Sequence, residues 1–272
     1  MTAATATPAE VGSRLEPTPG LVVRYLGPFR VTLDGTRVET DGSRRTRSVL
    51  AYLAAHRRSA VPRDVLMQVF WPEAGQAAGR NNLHVALSGV RQVLRSASSR
   101  SVVERVGEAY RIADTLPVWT DIDAFEDAAL AGARAERAGD RTAALRSYER
   151  CAQLYQDDFL AEDPYLDWAA APRDRYRLLA VETQTRLLNH YLDRAEYGPA
   201  VLLGRQILAT DPGNETVHRY LMAAYAATGY RHLALAQYEC AAATLRRMFG
   251  VRPSRETLSL YERLRHSNGI FQ

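Results

Sequence analysis

The stretch WPEAGQAAGRNNLHVALSGVRQVLR, Trp71 to Arg95, decides how this chain is read. It opens on a Trp-Pro break, crosses a loop of small residues and enters a helical run. Leu83, Leu87, Val90 and Leu94 recur at i, i+4, i+7 and i+11, the period of one buried helical face. Arg80, His84, Ser88 and Arg91 recur at i, i+4, i+8 and i+11, a second face about a quarter-turn away. A helix with one aliphatic and one polar stripe is ordinary for a surface element. Its sign is not ordinary, because from Gln76 to Val103 there is no Asp or Glu. A solvated helix usually interleaves both charges, whereas a face meant for phosphate excludes carboxylates.

The segments on either side fit that helix into a small domain. Upstream, LVVRYLG, FRVTLDG and TRVET are short β-branched runs, and Asp34-Gly35 between two of them is a hairpin signal. From Ser43, a plausible N-cap, the period becomes helical, with Val49, Leu50, Leu53 and Ala54 on one stripe. VPRDVLMQVFW makes a second helix with Pro62 at its first turn and Val65, Leu66, Val69 and Phe70 inward; Pro72 prevents its extension. Downstream, VVERVGEAYRIA forms two short strands around Gly107. Sheet, three helices and hairpin, in that order, make a winged helix-turn-helix with an N-terminal sheet over residues 20–115. Residues 1–19, mostly Ala, Thr, Pro and Glu without periodicity, are expected to be a disordered tail.

Beyond Trp119 the texture is helical, with stops at Gly139, Asp-Pro and Arg-Pro. Tyr197 and Tyr230 open two similar segments 33 positions apart, close to the tetratricopeptide period. Residues 116–272 are therefore expected to be a stack of helical hairpins, with Tyr197, Tyr225, Tyr230 and Tyr238 at packing positions and a groove open to a partner. The fold class is mainly α: a winged helix-turn-helix followed by an all-α tetratricopeptide-like domain. In this frame Trp71, Trp119 and Trp168 are assigned to packing. A helix at PRDRYRLLAVE is expected to begin at Pro172. Asp157, Asp158, Glu162, Asp163 and Asp167 read as a solvated acidic loop.

Charge is distributed unevenly. All 35 basic residues are Arg, and from Gly20 to Asp114 there are 15 of them against 8 acids. From Thr115 onward 19 Arg meet 21 acids. A basic first domain beside a near-neutral remainder suggests that only the first meets a polyanion. No secretory signal or membrane-length apolar run is visible, and Cys151 and Cys240 sit in helical patterns far apart, so a cytoplasmic, nucleoid-associated protein is expected. The six His residues are scattered without metal spacing. No phosphate-binding loop, nucleophile elbow or dinucleotide fingerprint occurs, so neither catalytic residues nor cofactors are expected.

LMQVFWPEAGQAAGRNNLHVALSGVRQVLR (66–95) resembles the DNA-binding domain of the Streptomyces antibiotic regulatory protein family, itself similar to OmpR-type output domains. Val85, Leu87, Ser88, Val90 and Arg91 match the recognition-helix pattern; Gly89 departs from it where Arg is usual. DPYLDWAAAPRDRYRLLAVE (163–182), LMAAYAATGYRHLALAQYE (221–239) and LRRMFGVRPSRETLSLYERL (245–264) resemble that family's bacterial transcriptional activation domain. The resemblance runs from about Leu21 to Leu264. It implies a transcriptional activator of secondary-metabolite genes, acting on double-stranded promoter DNA at direct repeats near a −35 element. It further implies contact with RNA polymerase holoenzyme, for Glu73 and its loop in particular, and homodimers or tandem protomers on DNA.

Within this frame Arg80, Asn81 and Asn82 sit at the helix end that enters the major groove, where Asn can bridge adenine and Arg can fork to guanine. His84 is a base-edge candidate, while Ser88 and Arg91 reach phosphate. Arg44, Arg45 and Arg47 at the first helix start suit phosphate as well as they suit water. Arg105 and Arg111 flank the Gly107 turn and either enter a minor groove or pair with Glu104 and Glu108 across the hairpin. Arg57 and Arg58 complement their helix end without DNA. Two other readings stay open: a peptide-binding tetratricopeptide scaffold whose winged domain contacts protein, and an enzyme or sensor whose activity depends on a small ligand in the helical groove.

Overall fold

The computed structural model describes residues 20–40 and 43–266, so the expected disordered tail at 1–19 lies outside the described residues. The chain forms two compact units, each described by itself: one of residues up to Ala124 together with 157–172, the other of 125–156 with the chain from Arg173 on.

In the first unit, β1 (Leu21–Arg24), β2 (Arg30–Leu33) and β3 (Thr36–Val38) form an antiparallel meander. Leu21 lies opposite Leu33, and Val31 opposite Val38. The β2–β3 turn is Asp34-Gly35, with φ of 48° and 82°. Both residues occupy the left-handed region that a two-residue hairpin needs, which Asp tolerates and Gly adopts freely. Helix α1 (Arg44–Ala55) starts where Ser43 accepts the Thr46 N–H at 3.3 Å. A short strand β4 (Val61–Pro62), α2 (Arg63–Phe70) and α3 (Gln76–Arg95) follow. The hairpin β5 (Val103–Val106) and β6 (Ala109–Ile112) then completes a second sheet in the order β4-β6-β5. Leu50 and Leu53 of α1, Leu66 and Phe70 of α2, and the expected Leu83–Leu87–Val90–Leu94 stripe of α3 are buried together with Tyr110 and Ile112 of the hairpin. Val65 was expected inward but is 39% exposed. An eight-residue helix presents only Leu66 and Phe70 fully to the core, and Val69 stays half-buried.

Two parts of this unit come from beyond the expected boundary near residue 115. Val118–Thr120 forms a further strand, β7, which pairs parallel with β1. Immediately after it, the buried Asp121 carboxylate accepts the backbone N–H of Tyr25 at 2.8 and 2.9 Å and that of Leu26 at 2.9 Å. These donors would otherwise be orphaned where β1 ends. The second part is 157–172, expected in the helical stack. Phe159 stacks on Tyr25 with ring centroids 5.1 Å apart, and the Leu160 N–H donates to the Tyr25 carbonyl at 3.0 Å. Trp168 donates its indole N–H to Ser48 Oγ at 3.0 Å and lies edge-on to Tyr52.

Among its described residues the regular elements of the second unit are all helices. It comprises α4 (Asp121–Arg137) from Phe125 on, α5 (Arg141–Leu154), α6 (Asp167–Asp193) from Arg173 on, α7 (Tyr197–Thr210), α8 (Glu215–Ala227), α9 (Arg231–Phe249) and α10 (Arg255–His266). Asp140 and Asn214 cap α5 and α8 by accepting the N–H groups of Ala143 and Val217 at 2.9 and 3.2 Å. Leu221, Met222, Tyr225 and Ala234 form a core against which Val201, Tyr238, Leu260 and Tyr261 pack, and Tyr238 stacks on Tyr261 at 4.0 Å. Tyr230, expected at a packing position, is 54% exposed because it is the residue preceding α9 rather than a member of its buried face. Helix α6 begins at Asp167, five residues before Pro172, so the proline lies inside the helix instead of opening it.

Burial pushes the Asp121 carboxyl up to about 6, against the pull of the Leu26 and Tyr25 backbone donors and of Arg24. A folded-state value above the ordinary one favours folding below the unfolded pKa, and that contribution is lost as pH rises through the folded value. The stability difference between the native chain and Asp121→Asn should therefore move in the variant's favour as pH rises from about 4 through about 6, by up to about 3 kcal/mol. Urea unfolding across that range measures it, and a flat difference would show that Asp121 titrates normally.

Candidate nucleic-acid interface

Helix α3 runs twenty residues, and its two faces separate as the spacing requires. Gly79, Leu83, Ala86, Leu87, Val90 and Leu94 are buried. Arg80, Asn81, His84 and Ser88 are exposed, whereas Arg91 is half-buried near the edge of the same face. Asn82 is half-buried and, at 100° per residue, projects well away from His84, so it does not share that face. Two residues that the sequence reading did not single out as contacts stand on the exposed side. Val85 is 65% exposed, an apolar side chain left largely to solvent, and Arg95 is exposed at the helix's last turn. An isolated exposed valine was legible from its position opposite the Leu83 stripe.

Most of the surrounding arginines are already neutralised. Arg47, a candidate phosphate ligand, is largely buried and pairs with Glu162 at 3.0 Å and with Asp163. The acidic segment expected as a solvated loop is what captures it. Arg57 and Arg58 both pair with Asp123, the latter at 3.1 Å. On the hairpin, Arg105 donates to the Gly107 carbonyl at 2.8 Å and to Glu108 at 2.5 Å. Arg111 pairs with Glu104 at 2.7 Å and with Asp114. The two hairpin arginines thus adopt the cross-strand pairing, and Arg47 an internal pair, leaving none of the three aimed outward as a free cation.

Arg44 and Arg91, by contrast, enter no ion pair among the described residues, and neither does Arg95; Arg30 on β2 is likewise unpaired. Arg80 bonds only Gln76 Oε1, at 3.3 Å. Arg45 lies over the Trp71 ring, 5.4 Å from its centroid, and Trp71 itself packs beside Phe70 at 5.9 Å. Glu73 is exposed in the loop between α2 and α3. Among the described residues no cluster of His, Cys, Asp or Glu could hold a metal ion, and no helix is long and apolar enough to cross a membrane.

Gly89, the departure from the expected pattern, has a packing reason. A Cβ there would lie 2.7 Å from Thr46 Oγ1 on α1. The missing side chain lets the two helices approach, so the position belongs to the α1–α3 contact rather than to the exposed face.

Comparison with known proteins gives the fold and its setting. A family model described as the bacterial transcriptional activator domain matches residues 120–265. The chain is 25% identical over 244 residues to the transcriptional regulatory protein MoaR1 of Mycobacterium tuberculosis, covering 88% of this chain and 77% of that protein. It is 26% identical over 241 residues to the regulatory protein AfsR of Streptomyces griseus, covering 88% of this chain but 24% of AfsR. Among solved structures, Mycobacterium tuberculosis EmbR, in complex with a low affinity phosphopeptide, superposes with a TM-score of 0.76 at 23% identity. That match covers 92% of this chain and 66% of EmbR, and it establishes the fold, a winged helix-turn-helix joined to a helical domain.

Alanine is the better helix former by up to about 1 kcal/mol, yet Gly89→Ala should destabilise the protein by about 1–3 kcal/mol through overpacking on Thr46. Adding Thr46→Ala should recover most of that loss. Denaturant unfolding of the single and double variants decides it; a stabilised single variant would mean that α1 and α3 have room to spare.

Proposed function

The chain belongs to the bacterial transcriptional activator domain family and is an activator of the Streptomyces antibiotic regulatory type, and we propose that it acts by sequence-specific binding of double-stranded promoter DNA. In this reading the exposed face of α3 enters the major groove. Asn81 and Arg80 read base edges near the helix start, and His84 follows one turn on. Val85 meets a thymine methyl group, the apolar feature that the major groove offers. Arg91, Arg95 and Ser88 hold phosphates, as do Arg44 and Arg45 at the start of α1. Arg47, Arg105 and Arg111 are left out of this set because carboxylates already hold them.

The observation that supports this reading best is the contrast between paired and unpaired arginines. In the first unit, cations away from α3 and the start of α1 are mostly matched to Asp or Glu, while Arg91 and Arg95 stand on a stretch with no acid. Neutralised pairs contribute little to a long-range field, and unpaired ones attract a polyanion directly. The exposed Glu73 loop is proposed as a surface for RNA polymerase, and the regulated genes as a secondary-metabolite cluster.

Arg91→Ala should weaken binding to all duplexes and lower the slope of log K against log salt by about one unit, whereas Arg47→Ala should leave the slope unchanged. Val85→Ala should instead relax preference at one A·T pair, at about 1–3 kcal/mol. Fluorescence anisotropy on duplexes selected from a random pool measures all three. An unaltered slope for Arg91→Ala would remove α3 as the docking face.

Head-to-tail occupancy by two protomers would put both recognition helices in the same orientation, about 10–10.5 bp apart. Tandem direct repeats should then be protected in footprinting, and affinity should collapse when the spacer changes by about half a turn. A preference for inverted repeats would exclude this arrangement.

A further inference from the structure

The near-neutral charge of the chain beyond Asp114 is a balance of two unlike parts. From Thr115 to Glu239 there are 13 Arg and 19 acids, whereas from Cys240 onward 6 Arg meet 2 acids. Most of that excess lies in RRMFGVRPSR, residues 246–255, which ends α9, turns at Gly250 and starts α10. Among the described residues Arg246, Arg252 and Arg255 are exposed and enter no ion pair, and Glu256 is the exposed acid beside them. The carboxylates of the adjoining α7–α8 turn and α8 start are engaged inward. Asp211 accepts from Asn214 Nδ2 at 3.0 Å. Glu215 accepts the Ser254 N–H and hydroxyl at 2.8 Å and the Thr257 hydroxyl at 2.7 Å.

The same turn leaves part of an apolar stripe uncovered. Ala241, Thr244 and Leu245 are buried on α9, and Met248, four residues past Thr244 and three past Leu245, continues their face. Met248 is nevertheless 47% exposed. Helix α9 has 19 residues and its neighbour α8 has 13, so the last turn of α9 projects past the helix it packs on. Phe249 is 58% exposed and is set from behind: a Cβ on Gly213 would lie 2.5 Å from its Cε2, so the α7–α8 turn carries glycine where the ring rests. Gly250, with φ of 70°, takes the left-handed conformation that ends α9, and the exposed Val251 follows. Glu215 anchors the start of α10, and Arg231 donates to the Leu264 and Arg265 carbonyls at its other end. Three apolar side chains thus stand in solvent on fixed backbone, with arginines around them.

We propose that this turn binds an acidic peptide of a protein partner, in which carboxylates flank an aliphatic or aromatic anchor. The anchor lies on Met248 and Phe249, and the carboxylates take the guanidinium forks of Arg246 and Arg252. Aromatic and arginine side chains are the usual centres of such contacts. The partial charge at the α9 C-terminus, about half an elementary charge, is too small to occupy these cations. Duplex DNA fits less well, because a phosphate backbone is held by cations and hydrogen-bond donors and offers nothing to three apolar side chains. A lipid surface needs an apolar helix face to bury, and Leu260, Tyr261 and Leu264 of α10 are packed inward on the core of Leu221, Met222, Tyr225 and Ala234. The surface shares no residue with the α3 face or the Glu73 loop and does not rest on the DNA-binding reading.

The test uses the full chain without DNA and a fluorescein-labelled peptide, Asp-Glu-Glu-Leu-Phe-Glu-Asp-Leu-Glu-Glu, followed by anisotropy at near-physiological salt, where exposed charges more than about 8 Å apart are largely screened. Saturable binding of one peptide per chain is expected. Arg246→Gln combined with Arg252→Gln should weaken it roughly tenfold, and Met248→Ser roughly three- to tenfold. Both changes are at exposed positions, and an unchanged melting temperature verifies that the fold is intact. Arg247→Gln, about 160° round α9 from Phe249, and Arg91→Ala on α3 should leave the affinity within about twofold. The same peptide with Ser in place of Leu and Phe should bind roughly tenfold more weakly. No saturable binding, equal affinity for native chain and the Arg246 and Arg252 double variant, loss in Arg91→Ala instead, or equal binding of the Ser-substituted peptide would overturn the proposal. If the peptide fails, phosphatidylglycerol vesicles and random duplex DNA, each compared on native chain and double variant, show whether the turn serves a lipid or a nucleic acid instead.

Discussion

The first unit depends on the few bonds that tie the residues after Pro117 back to its first strand. Leu21 donates its N–H to the Pro117 carbonyl at 2.9 Å, β7 lies parallel on β1, and the Asp121 carboxylate takes the amides of Tyr25 and Leu26. A buried carboxylate is costly unless hydrogen bonds answer it, and here backbone donors do so directly. Tyr25, fixed this way, is the centre of a wider set of contacts. Its hydroxyl donates to the Ala51 carbonyl at 2.8 Å, its ring stacks on Phe159, and Phe29 meets it edge-on at 5.6 Å. One strand end thereby locates α1 and the returning 157–172 segment, and α1 in turn seats α3 through the gap left at Gly89.

Electrostatics then divides a uniform arginine population into two kinds. Arg47, Arg57 and Arg111 each find carboxylates, and half-buried pairs of this sort fix geometry more than they add stability. The cations of α3 have no such partners within reach, because the sequence keeps acids off that helix and the strip after it. Identical side chains therefore serve as internal fasteners in one place and as an external field in another, and the distribution of Asp and Glu decides which.

Much of this was legible in the sequence wherever the determining signal is local. The Asp34-Gly35 turn, the Ser43 cap, the Leu83–Leu94 stripe and the Gly107 hairpin all declare themselves within a few residues. What was not legible depends on distant partners. Arg44, Arg45 and Arg47 look alike in sequence, and the carboxylates that single out Arg47 lie 115 and 116 positions away. Asp121 reads as a helix start, while its partners sit 95 and 96 residues upstream. Val118–Thr120 follows a proline and is three residues long, too short for alternation to mark it as a strand, and reads as a linker instead. Gly89 reads as a missing contact because its reason for being small is a threonine on another helix.

The inclusion of residues 157–172 in the first unit has a consequence for how the chain is made. Synthesis delivers the chain from its N-terminus at about 5–20 residues per second, and a domain completes its core only when all of its parts have emerged. Here the groups that cover Tyr25 and Ser48 belong to Phe159 and Trp168, which leave the ribosome well after α3 and the hairpin. Helix α5 and most of α4 must be synthesised before the sheet can close over its aromatic neighbours. Helix α3 therefore reaches its final setting only after α4 and α5 have been made, so a nascent chain cut short before Trp168 emerges carries most residues of the first unit without its finished core.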